Sequence, residues 1–322
     1  MNYTLNDFRS TQNLINQYIN KTPIISSKTF SDQLNLELFF KLELFQKTGS
    51  FKVRGALNKL LKLSENEKQK GIITISAGNH AQAVSWACSN FNVKSKIVMP
   101  YGASKSKVEA TKSYGGDVIL TKGPMMDKCN EIIEKENLSF IHPFDDLDII
   151  LGQGTVALEI IEKIKSIDYV FVSIGGGGLI SGMACLFKSI NPKIKIIGVE
   201  PKNSNVMTKS LQSNKVETFD THKNKTIADT LAAPFAGNLT LEFVKKYVDQ
   251  IINVAEDEII LSMKEIIERL KILPEPAAAA CFAPLLFKKI DIKKGSKCLV
   301  VICGGNVDLK TLKEIFWDLY VY

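Results

Sequence analysis

Gly49-Ser50-Phe51-Lys52-Val53-Arg54-Gly55-Ala56 places a lysine at the start of a predicted helix, after a small-residue turn and an aromatic ring. A primary amine held at a defined place condenses with an aldehyde when burial or a neighbouring cation keeps part of it neutral. The octet alone also reads as an ordinary helix entry with a solvated lysine. Three further stretches weigh against that plain reading: Ser76-Ala77-Gly78-Asn79-His80, Gly175-Gly176-Gly177-Gly178 and Cys303-Gly304-Gly305-Asn306.

The surrounding pattern alternates short apolar runs with helical ones. Residues 71–75, 96–99, 117–120 and 139–141 read as strands, and 80–91, 104–114 and 125–137 as the helices between them. After Gly152 the rhythm resumes, with helices predicted over 155–165 and 179–190 and strands over 169–173 and 195–199. Residues 201–238 read as a loop-heavy region, followed by helices over 241–247, 256–271 and 277–288 and a last strand over 297–302. Buried strands spaced by helices predict α/β architecture with a parallel sheet covered on both faces.

The 322 residues are enough for a large core, and 45% hydrophobic with 23% charged residues describes an ordinary globular chain. The net charge of +7 is scattered among acidic residues, with no basic run interleaved with aromatics, so no nucleic-acid partner is expected. Six cysteines without a CxxC pair and three histidines offer no zinc spacing, and they suit reduced thiols in the cytoplasm. No secretion signal or membrane span is read; the apolar window 169–187 is broken by four glycines.

Each companion stretch has its own chemistry. Gly175 to Gly178 follow a strand and open a helix, where backbone N–H groups cradle an anion. A dinucleotide site competes there, because Glu200 ends the next strand where a ribose-binding acid would sit. No Gly-x-Gly-x-x-Gly register fits, however, and that reading leaves Lys52 without a role. Ser76 to His80 turn from strand to helix, offering N–H groups and a hydroxyl to a carboxylate, or simply a helix cap. Cys303 at a strand end reads as a neutral weak donor or as an inert buried thiol.

Together and in this order, the four stretches resemble the pyridoxal-phosphate enzymes of the tryptophan-synthase-β fold group, in the branch of serine/threonine dehydratases and serine racemases. The resemblance spans nearly the whole chain. It implies fold type II: two open, twisted, mostly parallel sheets flanked by helices. Residues 1–70 and 149–322 would form the large cofactor-binding domain and 71–148 a small mobile domain that gates substrate. Lys52 would carry the cofactor as a Schiff base and then take the substrate's Cα proton. Phe51, Asn79, Gly175, Gly176, Gly177, Gly178, Leu179 and Cys303 would bind the cofactor, with Cys303 facing the pyridine nitrogen. Ser76, Ala77, Gly78, Asn79 and His80 would hold the substrate.

The implied activity is β-elimination from L-threonine or L-serine, giving 2-oxobutanoate or pyruvate plus ammonia. Serine racemization is an alternative, although racemases typically carry a second serine where this chain has Ala77. Cysteine-synthase-like β-replacement and a non-catalytic nucleotide-binding protein are further alternatives. Some relatives bind a divalent cation through the counterpart of Glu200; Val206 stands where their aspartate falls, so a tight cation site is not expected. Thr230 follows Asp229 where a glycine is common. The sequence ends 16 residues beyond Asn306, from which no regulatory domain and no feedback by isoleucine are expected. A cytoplasmic homo-oligomer, commonly a homodimer, completes the reading.

Overall fold

The computed structural model describes residues 3–221 and 223–317. Its strands are β1 (Ile24–Ser26), β2 (Glu37–Leu42), β3 (Ile72–Ile75), β4 (Ser95–Pro100), β5 (Asp117–Thr121), β6 (Ser139–Phe140), β7 (Tyr169–Ser173), β8 (Lys195–Pro201), β9 (Gln250–Val254) and β10 (Lys297–Ile302). They form two sheets, one of six strands in the order β1-β2-β10-β7-β8-β9 and one of four in the order β5-β4-β3-β6. Every pairing is parallel except that of β1 with β2. The central strands β7 and β10 are buried almost throughout, as a parallel sheet with helices on both faces requires.

The helices are α1 (Leu5–Ile15), α2 (Lys28–Leu34), α3 (Lys52–Lys62), α4 (Glu65–Lys70), α5 (Asn79–Asn90), α6 (Lys105–Ser113), α7 (Met125–Glu136), α8 (Leu147–Lys163), α9 (Gly178–Ile190), α10 (Val206–Ser213), α11 (Asn238–Tyr247), α12 (Glu256–Leu270), α13 (Pro276–Ala280), α14 (Ala283–Leu286) and α15 (Leu309–Phe316). The larger core surrounds the six-stranded sheet, where Phe30, Phe40 and Phe282 pack with ring centroids 4.8–6.0 Å apart. Val53, Ala56, Leu57 and Leu60 of α3 instead join Ile72, Ala81 and Ile97 in a second core under the four-stranded sheet. Each buried valine, leucine or isoleucine among them contributes about 1.5–3 kcal/mol. Helix α3 thus runs along the seam between the two sheets.

Four regions differ from their sequence expectations. The helix predicted from residue 155 begins at Leu147, because the Asp146 carboxylate caps it by accepting from the N–H groups of Asp148 and Ile149 at 2.8 and 3.2 Å. Gly152 looks like a break in the pattern but serves as a crossing point. A Cβ there would meet Gly55 Cα at 2.6 Å, so α3 and α8 touch backbone to backbone. Residues 277–288 split into α13 and α14, since Pro284 has no N–H to carry one helix through. Within the expected loop region, residues 206–213 are helical, and the Glu200 carboxylate receives the N–H groups of Met207 and Thr208 at 2.9 and 2.8 Å. The first 70 residues, in which only the Lys52 helix was anticipated, add β1 and β2 to the larger sheet.

A buried ion cluster joins these parts. Arg54 donates from Nε and Nη2 to the two oxygens of Glu43, both at 2.8 Å, and its Nη1 lies 2.8 Å from Glu159. Lys41 pairs with Glu159 at 2.5 Å and donates to the Thr22 carbonyl at 2.8 Å. All four charged side chains are almost fully buried. Removing one partner from such a cluster leaves a desolvated charge, so Arg54→Met is expected to cost on the order of 3–5 kcal/mol. A urea unfolding curve that leaves the midpoint within error of wild type would refute this.

Candidate active site

Three of the four sequence stretches lie at the carboxyl ends of parallel strands, where the N–H groups of following turns and helices point outward. Residues 76–78 leave β3, residues 174–177 leave β7, and Cys303 leaves β10. The fourth, Lys52, begins α3. The two sheets bring them together around one cavity of about 270 Å³, lined among others by Phe51, Lys52, Ser76 to His80, Gly175 to Leu179 and Cys303. Each site residue predicted from the sequence, Glu200 excepted, therefore borders the same space.

Lys52 donates to the Pro143 carbonyl at 2.8 Å, with its Nζ 5.4 Å from the centre of the Phe51 ring. Burial pushes the amine down from 10.5 to about 8, against the opposing pull of Cys303 and Glu275. A neutral amine is thus accessible near physiological pH. The carbonyl that receives it is held by a small turn: His142 Nδ1 accepts from the N–H groups of Phe144 and Asp145 at 3.2 and 2.8 Å. Asp145 in turn accepts from the backbone of Asn238, Leu239 and Thr240, capping α11.

The turn before α5 folds on itself, Gly78 N–H donating to Ser76 Oγ at 3.1 Å, which leaves the hydroxyl proton of Ser76 free to donate. Asn79 is held from both sides. Its Nδ2 donates to Glu275 at 2.8 and 3.1 Å, and its Oδ1 accepts from Asn306 Nδ2 at 2.8 Å. Both contacts go to one carboxylate and share one N–H, so the second hydrogen of Nδ2 remains for a ligand. His80 is buried, with Nε2 3.4 Å from the Ile141 carbonyl; burial and then the Lys52 charge hold it well below its usual range, so it is neutral.

Gly177 has φ of +91°, a left-handed conformation that favours glycine, and it leads directly into the 13-residue helix α9. The first-turn N–H groups of α9 have no acceptor within the helix, and the helix dipole favours an anion beside them. Cys303 is buried against Glu275, and burial first, then that carboxyl, pushes its thiol well above 9, so it stays protonated.

Sequence reasoning missed Glu275, Pro143, Phe144, Lys107 and Asp229 as lining residues. Glu275 carried a faint signal, an acid framed by Pro274 and Pro276 ahead of an alanine run. It is buried, and burial, then the charge of Asp229, pushes its carboxyl up to about 7. Glu200 does not border the cavity; its carboxylate is engaged with α10, and burial pushes it up to about 7. Among the described residues there is no cluster of three or more His, Cys, Asp or Glu side chains able to hold a metal ion.

The profile of the family described as "Pyridoxal-phosphate dependent enzyme" matches residues 15–304. The chain belongs to this family. It is 46% identical over 301 residues to the catabolic L-threonine dehydratase of Escherichia coli, covering 92% of this chain and 91% of that protein. It is 40% identical to the serine racemase of Dictyostelium discoideum over 97% of each chain. The solved structure of maize serine racemase superposes with a TM-score of 0.92 at 38% identity, covering 99% of this chain and 98% of that one. The enzyme's two-sheet α/β fold is therefore that of fold type II, as expected.

The cavity residues fit the cofactor of this family. A buried amine with a depressed pKa suits an aldehyde, the glycine turn with the α9 terminus suits a phosphate, and a neutral thiol suits an uncharged ring nitrogen. Because the nucleophile is the neutral amine, condensation of pyridoxal phosphate with the cofactor-free protein is expected to accelerate with pH through a midpoint of about 8. Stopped-flow absorbance would measure this; a midpoint near the ordinary 10.5 would contradict the burial of Lys52.

Proposed function

We propose that this enzyme releases ammonia from L-threonine or L-serine by β-elimination of the hydroxyl, producing 2-oxobutanoate or pyruvate. The observation that carries the proposal is the Lys52 amine, its pKa lowered to about 8, in a cavity also lined by the Ser76–His80 turn and the Gly175–Gly178 turn. The identity to the catabolic threonine dehydratase of E. coli supports the same reaction.

When bound, pyridoxal phosphate supplies an aldehyde and an electron-withdrawing ring that together acidify the substrate's Cα–H. Gly175 to Leu179 would hold its phosphate, Asn79 would donate an amide hydrogen to the cofactor, and Cys303 would offer it a neutral thiol. Phe51 would pack against it, and Lys52 would be its covalent anchor. The N–H groups of the 76–80 turn and the Ser76 hydroxyl orient the substrate carboxylate. Lys52 Nζ then takes the Cα proton, which its lowered pKa permits close to neutral pH. The protonated, weakly donating Cys303 thiol would leave the cofactor's nitrogen uncharged, which would favour elimination over transamination. The net change is loss of ammonia, the water expelled being regained on hydrolysis to the keto acid.

Ala77 borders the cavity and brings a methyl group, with no proton to return to Cα from the second face. Elimination is therefore the outcome, not inversion. Residues 71–148 act as the gating unit, consistent with the Ser106 hydroxyl donating to Asp308 at 2.6 Å across the two halves. The protein works as a homo-oligomer in the cytoplasm, where its six buried free thiols stay reduced.

Lys52→Ala is expected to lower keto-acid release from threonine by at least ~10²–10⁴-fold, through loss of the base alone. It should also abolish the lysine-linked visible absorbance and borohydride labelling at this position. A variant with normal turnover would sink the assignment. L-serine should give pyruvate as the main product, and Ala77→Ser should gain D-serine formation by chiral chromatography. D-serine as the main product of wild type would reverse the choice between elimination and racemization.

A further inference from the structure

The residues assigned so far would serve the substrate's carboxylate, amine and Cα proton; none meets what its β-carbon carries. With Lys52, the 76–80 turn and the glycine turn occupied, the remaining lining includes Met125, Ala232, Ala233, Pro234 and Phe235, together with Lys107 and Asp229. The first five are apolar. Lys107 from α6 and Asp229, which opens the turn 229–231, form a direct ion pair. Among the described residues that line the cavity, the cationic side chains are Lys52 and Lys107, since His80 is held neutral. Lys52 works as a neutral base and cannot serve a second carboxylate. Lys107 is the remaining candidate, and Asp229 already neutralises it.

We propose that the Lys107–Asp229 pair makes this cavity select 3-hydroxy amino acids with hydrogen or an alkyl group on the β-carbon and reject those with a second carboxylate there. This rests on the elimination reaction proposed above. A β-carboxylate brought into the cavity would lose its water without gaining an unpaired cation, next to the buried Glu275. A methyl group meets the apolar wall instead. Asp229 is thus a specificity-determining residue that acts by occupying Lys107. The pair is partly solvated, with the Asp229 side chain 61% exposed and that of Lys107 19%, so its influence is that of a rim charge.

The experiment measures kcat/KM of the cofactor-loaded enzyme for L-threonine, L-serine and L-threo-3-hydroxyaspartate by keto-acid release. Wild type should favour threonine over hydroxyaspartate by roughly tenfold or more. Asp229→Asn frees Lys107 and should raise the hydroxyaspartate-to-threonine ratio by about fivefold. Adding Lys107→Met to that variant should remove the gain. The selectivity is overturned if wild type uses hydroxyaspartate as well as threonine, if Asp229→Asn leaves the ratio unchanged, or if the gain survives without Lys107. Asp229→Ser carries the same test should the Asn variant not fold, and the wild-type comparison needs no variant. Wild type that releases keto acid from none of the three would instead overturn the reaction itself.

Discussion

The structure depends on a knot of four buried charges beside Lys52. Arg54 lies two residues beyond Lys52 on the same helix, and its guanidinium is shared between Glu43 and Glu159, with Lys41 completing the set. These side chains come from β2, the turn after it, α3 and α8. Two cations and two anions cancel in the dry interior, so the cluster is tolerable only when all four are in place. Geometry is thereby enforced: α3 has one rotation and one height at which Arg54 reaches both acids. The contact of Gly55 with Gly152 removes the remaining freedom, since the helices already touch by their backbones. Lys52 inherits that placement.

Around this fixed amine, the site is assembled from strand ends. Parallel sheets present N–H groups at the carboxyl ends of their strands, and here two sheets offer theirs to one cavity. The proposed division of labour follows: β7 with α9 would receive one anion and β3 with α5 a second, while β10 delivers a neutral thiol. Electrostatics then sort the protons. Burial pushes the lysine down, the thiol up and Glu275 up, so each group is pressed toward its uncharged form in the same enclosed space. That is the condition in which a lysine serves as base and a thiol as weak donor at ordinary pH.

Much of the site was legible before the fold was known, because its parts are local. Lys52, the 76–80 turn, the four glycines and Cys303 each carry a short-range signature of strand end, small residues and helix start. What escaped was non-local. Pro143 looks like an ordinary loop residue and Glu275 carries only a faint signal, and only a contact across 91 positions makes Pro143 the acceptor for Lys52. Glu275 meets Asn79 across 196 positions, and Lys107 meets Asp229 across 122. No window of sequence contains either pair. The helix start expected at residue 155 and found at Leu147 has a similar origin: Gly152 signals a break until the neighbouring helix that needs it is seen.

By itself the sequence determined the alternation of strands and helices, since hydrophobic period and turn residues act over a few positions, and it determined which residue types were available for chemistry. The tertiary structure alone decided that two sheets share one cavity, that Arg54 is locked among acids, and that Lys107 is neutralised before a substrate arrives. These outcomes turn on desolvation and on charge meeting charge, both set by distance in space and not by distance along the chain.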